Sequence, residues 1–180
     1  KHRMNLKNIA DPFMKKLTSI VGESVNLGIV YNQDILVIYR EEGESSALTS
    51  KLIPISPLYC SAMGKLFLAH MGLEELESYF SNVTLEKRTI NTITSLEEFL
   101  KERDFILENG ISYDDEEYEY GLSCMAAPIY GNDKNIIASI SVSGPTSRIK
   151  MKDREKIQEL LKESSRNISK KIEMANVKML

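Results

Sequence analysis

Two strand-length runs joined by a short turn constrain this chain more than any other feature. Residues 123–130 and 136–143 flank Gly131-Asn132-Asp133, a link too short for a crossover helix, so the runs pair as an antiparallel hairpin. In the second run Ile136, Ala138, Ile140 and Val142 fall on one face, and Ser139, Ser141 and Ser143 on the other. The apolar face belongs to a core. The serine face either meets solvent, as in a one-sided sheet, or lines a compact polar pocket whose hydroxyls donate to a carboxylate or carbonyl. Gly144-Pro145 closes the hairpin.

Two further strands are expected near the start. Val25, Leu27, Ile29 and Tyr31 alternate, residues 35–39 are continuously apolar, and Asn32-Gln33-Asp34 supplies the turn. Residues 47–53 suit a third strand after the polar loop 41–46. Helical stripes surround these runs. Leu6, Ile9 and Ala10 begin one, and Phe13, Leu17, Ile20 and Val21 continue it. Asp11-Pro12 interrupts this stripe, which predicts two helices, with Asp11 capping the second, Pro12 in its first position and Gly22 as the stop. Residues 59–69 are apolar almost all round, as expected of a buried helix. Leu73, Leu76, Tyr79 and Phe80 mark a short amphipathic helix. Thr94 with Glu97 forms a capping-box pattern for a helix that Gly110 ends. Ile157, Leu160, Leu161, Ser164, Ile168 and Ile172 mark a long terminal helix. Strands and helices segregated in this way predict an α+β domain, with an antiparallel sheet of about six strands and helices packed on it.

At 180 residues the chain suffices for one well-buried domain plus a short appended element. Its net charge of −3, without a dense basic stretch, gives no general attraction to phosphate backbones. Aromatic content of 7% without tryptophan argues against a stacking platform for single strands. Two cysteines, Cys60 and Cys124, are too few for a disulfide scaffold or a four-thiolate zinc site, and point to a reducing cytoplasm. No apolar run approaches the roughly 18–20 residues that cross a bilayer. The first ten residues lack the apolar core of a signal peptide, and the start reads as that of an excised piece.

The candidates for chemistry cluster on few segments. Cys124 precedes the small residues Ala126 and Ala127 beside the serine strand; it is either a small buried hydrophobe or part of a pocket. Ser61-Ala62-Met63 opens the buried helix, where free N–H groups can hold an anion, or where Ser61 is simply a cap. The run Asp114-Asp115-Glu116-Glu117 is either a solvated loop or the source of one inward carboxylate. It lacks the spaced ligands and glycine of a calcium loop. His70 near a helix end and His2 near the start are not expected to be ligands. No phosphate-binding loop, dinucleotide fingerprint, zinc-protease motif or nucleophile elbow is present. Neither cysteine has an activating neighbour in sequence, so no enzyme is expected.

Six fragments in order and spacing resemble the C-terminal effector-binding domain of the IclR family. They are Val25-Asn26-Leu27, Pro57-Leu58-Tyr59-Cys60-Ser61-Ala62-Met63-Gly64-Lys65, Thr92-Ile93-Thr94, Gly110-Ile111-Ser112-Tyr113-Asp114-Asp115-Glu116-Glu117, Gly121-Leu122-Ser123-Cys124-Met125-Ala126-Ala127-Pro128-Ile129 and Ser141-Val142-Ser143-Gly144-Pro145. The likeness covers residues 5–175. It implies a GAF-like sensor fold over residues 23–180, with residues 1–22 as linker helices from an N-terminal winged helix-turn-helix domain outside this chain. It further implies a small organic-acid-like effector bound by Ala62, Met63, Asp114, Leu122, Cys124, Ser141 and Ser143. Some family members carry a metal in this cavity; with only Asp114 and Cys124 as ligands here, neither metal nor cofactor is expected. Operator DNA would be met only through the N-terminal domain, and the protein would be a homodimer or homotetramer. One departure stands out: the family carries small residues where this chain has Met63, whose bulk narrows the pocket. The competing expectations are a GAF-like thiol-redox enzyme using Cys60 or Cys124, and a pure oligomerisation domain.

Overall fold

The computed structural model describes residues 2–43 and 54–177. Six helices and six strands follow in the order α1 (His2–Val21), β1 (Ser24–Tyr31), β2 (Asp34–Glu41), β3 (Ile55–Pro57), α2 (Ala62–Ala69), α3 (Leu73–Asn82), α4 (Leu96–Asn109), β4 (Ser112–Asp115), β5 (Leu122–Tyr130), β6 (Ile136–Pro145), α5 (Thr146–Met151) and α6 (Arg154–Val177). A single 3-10 turn, Leu58–Cys60, links β3 to α2. The strands form one sheet in the order β3-β2-β1-β6-β5-β4, every pair antiparallel. This is the α+β architecture expected.

Both faces of the sheet are covered. Val25, Leu27, Ala138, Ile140 and Val142 pack, fully buried, in one apolar cluster with Met14 and Leu17 of α1 and Leu161 and Ile168 of α6. On the opposite face α2 lies across β1, β2, β4, β5 and β6, and a second cluster joins Ile35 and Ala126 to Leu66, Leu68, Leu76 and Phe99. Ser139 and Ser141 lie beneath this second layer, 0% and 2% exposed. The solvated alternative for the serine face therefore fails, because a second helical layer closes over it.

The N-terminal break is also absent. α1 runs continuously through Pro12, and Asp11 caps nothing: its carboxylate accepts from Lys15 Nζ at 2.9 Å and from the Tyr39 hydroxyl at 2.6 Å. An interior proline costs about 3 kcal/mol. Leu6, Met14, Leu17 and Val21 are all buried along one stripe, at roughly 1.5–3 kcal/mol each, which outweighs that cost. Burial along this face makes α1 part of the core.

Local signals are otherwise followed closely. Asn32 and Gln33 both take positive φ, 48° and 64°, as a two-residue hairpin turn requires. Ser95 caps α4 by accepting from the Glu98 N–H at 3.1 Å, one residue beyond the expected Thr94–Glu97 pair. Gly110 ends that helix at φ +63°. The strand expected over 47–53 lies outside the described residues; the described third strand is the short edge segment Ile55–Pro57. Helix α5, directly after Pro145, has no counterpart in the expectations. No helix among the described residues is long and apolar enough to cross a membrane.

Candidate functional site

Register places the candidate residues in cross-strand rows beneath α2. Ser24 of β1 stands opposite Ser143 of β6, Ser143 opposite Cys124 of β5, and Cys124 opposite Asp114 of β4. The next row runs Arg40, Asn26, Ser141, Ala126, Ser112. Directly paired residues share a face, so both rows look toward α2. Leu122 falls one step outward from Cys124 on the same face, opposite Pro145. Of the seven residues inferred from sequence, Asp114, Cys124, Ser141 and Ser143 thus adjoin one another on the sheet, with Ala62 and Met63 above and Leu122 at the rim.

Asn26 organises the serines. Its Nδ2 donates to Ser141 Oγ at 3.2 Å and to Ser143 Oγ at 3.0 Å. Each serine oxygen is thereby an acceptor toward Asn26, and its own O–H proton is left to donate elsewhere. Two more hydroxyls on this face, Ser139 and Ser112, are both 0% exposed, and their Oγ atoms have no hydrogen-bond partner among the described residues. Buried hydroxyls without partners are rare because each forfeits the hydrogen bonds it had in water. Donors collected on one concave face in this way suit an oxygen-rich ligand.

Above them α2 begins. Ser61 Oγ accepts from the Gly64 N–H at 2.9 Å, which leaves the N–H groups of Ala62 and Met63 at the electropositive end of the helix. The close approach requires glycine at position 64, since a Cβ there would stand 2.4 Å from Leu58 Cα and O. Met63 reaches down to β1, where Gly28 leaves room for its thioether.

The acidic run turns inward twice. Asp114 is 2% exposed, and its Oδ1 accepts from the Glu117 N–H at 2.7 Å. Burial, reinforced by the nearby Glu117 charge, pushes its carboxyl up to about 7, so near neutrality it is poised to donate as well as accept. Glu117 meets Lys65 Nζ at 2.9 Å through both oxygens, and Lys65 also reaches Glu102 at 2.8 Å. Burial opposes the charge on Lys65, but the two carboxylates overcome it and raise its pKa. This ion triad ties α2 to α4 and to the loop after β4. Among the described residues no group of three or more His, Cys, Asp or Glu side chains is arranged to hold a metal.

The thiols are unsuited to nucleophilic work. Burial pushes Cys60 up to about 12 and Cys124 well above the ordinary thiol range, with Asp114 adding to the rise. A reactive cysteine needs the opposite environment.

Sequence reasoning placed Ser139 on the serine face and missed Asn26, Arg40, Ser24 and Ser112. The period of two along β1 already carried part of the signal: Val25 and Leu27 occupy one face, Ser24 and Asn26 the other. Polar residues alternating with core residues on a central strand mark a lined pocket once a second layer covers the sheet.

Residues 1–170 match the family model of the bacterial transcriptional regulator IclR C-terminal domain. The HTH-type transcriptional repressor AllR of Escherichia coli is 34% identical over 170 residues, 93% of this chain and 62% of AllR. The HTH-type transcriptional regulator KdgR of Dickeya chrysanthemi is 31% identical over 167 residues, 92% of this chain and 55% of KdgR. The chain thus spans about three-fifths of the length of these relatives. The crystal structure of transcriptional regulator YaiJ superposes with a TM-score of 0.90 at 30% identity, covering 95% of this chain and 97% of that one.

Proposed function

Since the chain belongs to the IclR C-terminal family, we propose that it is the effector-sensing part of a bacterial DNA-binding transcription regulator, with the pocket between α2 and the sheet as the sensor. One observation carries this reading: the Asn26 amide holds Ser141 and Ser143 with their hydroxyl protons free, in the rows shared with Cys124 and Asp114 and below the start of α2. A small organic acid fits that chemistry, its carboxylate on the Ala62 and Met63 N–H groups and the serine hydroxyls, and a further oxygen on Asp114.

The effector acts by favouring one arrangement of the regulator over another, which changes operator affinity only to the extent that it binds the two unequally. Operator DNA is met by an N-terminal winged helix-turn-helix domain, and residues 1–22 lead from it. Regulators of this kind work in the cytoplasm, as homodimers or homotetramers. The role is non-catalytic, in keeping with two thiols held in their protonated form.

Calorimetry across a panel of small carboxylic, keto and hydroxy acids tests the reading. At least one acid binds the wild type, and the double variant Ser141→Ala with Ser143→Ala weakens it tenfold or more. Binding unaffected by the double variant removes this site assignment.

A further inference from the structure

Arg40 is a charged residue of this face to which the acid-binding reading above gives no role. It stands opposite Asn26 in the β1–β2 register, so its side chain leaves the sheet on the serine side. Its Nη2 donates to Ser24 Oγ at 3.1 Å, which holds the guanidinium at the β1 end of the row that continues through Ser143 and Cys124 to Asp114. Its Nε is buried and has no hydrogen-bond partner among the described residues. None of the ion pairs among those residues includes it. Burial raises the Cys124 thiol, Asp114 adds to the rise and Arg40 opposes it, as expected of a cation within Coulombic reach of the pocket floor.

A guanidinium presents five donors in a rigid fork that matches a carboxylate or phosphate. Here one donor is spent on a neutral serine, and a buried one is unmet. We propose that Arg40 is a second anion subsite of the effector pocket, so that the effector is a compact di-acid with one acidic group at the Ala62–Met63 helix start and the other on the Arg40 fork. The inference rests on the acid-binding reading of the pocket. Neighbouring strands lie about 4.8 Å apart, so one to two strand spacings, roughly 5–10 Å, separate the serine strand from the guanidinium. An aliphatic di-acid of about four to six carbons spans that distance between its outer oxygens.

Calorimetry at constant ionic strength with matched pairs (butyrate and succinate, pentanoate and glutarate, hexanoate and adipate) reads the preference directly. The wild type binds the best di-acid at least tenfold more tightly than its mono-acid partner. Arg40→Gln brings that ratio near one, and Arg40→Lys, which keeps the charge without the fork, retains part of it. A ratio unchanged in Arg40→Gln, or mono-acids binding as well as di-acids to the wild type, overturns the subsite while leaving the acid pocket standing. Failure of every mono-acid and di-acid to bind removes both. Circular dichroism checks that Arg40→Gln is folded; if it is not, Ser24→Ala, which releases the fork from its anchor, takes its place and also lowers the ratio.

Discussion

Met63 occupies the space that a side chain on Gly28 would fill: a Cβ on Gly28 would stand 2.8 Å from Met63 Sδ and 3.1 Å from its Cε. Gly28 is the register partner of Ser139, so the thioether rests beside an unpartnered hydroxyl on the pocket floor. In the proposed pocket the β1 end is therefore bounded by a flexible side chain dropped from the helix rather than by the sheet.

Met63→Ala removes that filling. Truncating a buried methionine costs about 2–5 kcal/mol where the site does not collapse, and a loss in that range is expected in urea denaturation. The same variant shifts binding toward bulkier acids, so that benzoate-sized ligands gain affinity relative to acetate-sized ones in calorimetry. An unchanged ranking would mean that Met63 does not bound the pocket.

If the proposed pocket holds the effector, its affinity is expected to depend on pH through Asp114. Its carboxyl is raised from the ordinary 3.8 to about 7, and a protonated Asp114 presents a donor rather than a second negative charge to an anion. Affinity for an acid ionised throughout is flat below that value and falls by up to tenfold per pH unit above it. Asp114→Asn, neutral at every pH, abolishes the slope. Folding follows the same sign: stability due to this group is complete below 3.8 and is lost as pH rises through about 7. Chemical denaturation at pH 4 and pH 8 with both proteins brackets that window and measures the difference.

Stability also hangs on Glu23, which is 0% exposed and accepts from Arg148 Nε at 2.5 and 2.9 Å, with Lys152 Nζ 3.7 Å away. Arg148→Ala strands this buried carboxylate beside a single distant amine, and a loss of about 3 kcal/mol is expected in denaturant titration. The double variant Arg148→Ala with Glu23→Gln recovers part of that loss, because the uncompensated charge is gone.

The thiols give a check on the enzymatic alternative. Cys60 is fully buried and Cys124 half-buried, and both are held protonated at neutral pH. Iodoacetamide at pH 7.5 modifies the native protein slowly at both positions, and rapidly once denaturant is added. Fast native alkylation of either residue would revive a thiol-based chemistry.

Periodicity and turn chemistry made most of the fold legible. The hairpin of β5 and β6, the β1–β2 turn and the stop at Gly110 are local features, and local sequence is sufficient to specify them. What sequence could not show was non-local. Pro12 reads as a boundary until the buried stripe of α1 is seen to outweigh it. The serine strand reads as half-solvated until α2 is known to cover it. The grouping of the candidate residues was legible to the extent that register follows from pattern: Ser141, Ser143, Cys124 and Asp114 adjoin on the sheet. Asn26 and Arg40 were missed because their importance lies in what they face across strands, which no single strand discloses.

The Asn26 clamp has a consequence for selectivity. By filling one acceptor position on both Ser141 and Ser143, it biases the pocket toward molecules that accept hydrogen bonds. A neutral analogue of the effector with an apolar group in place of its carboxylate would strand two oriented hydroxyl protons in a closed space, and an amine would bring donors to donors. Discrimination of this sort works by rejection: the wrong molecule is excluded by the bonds it leaves unmade, a stronger filter than the fit of one more methylene. A sensor built as proposed is expected to reject apolar and cationic molecules without having to exclude them by size.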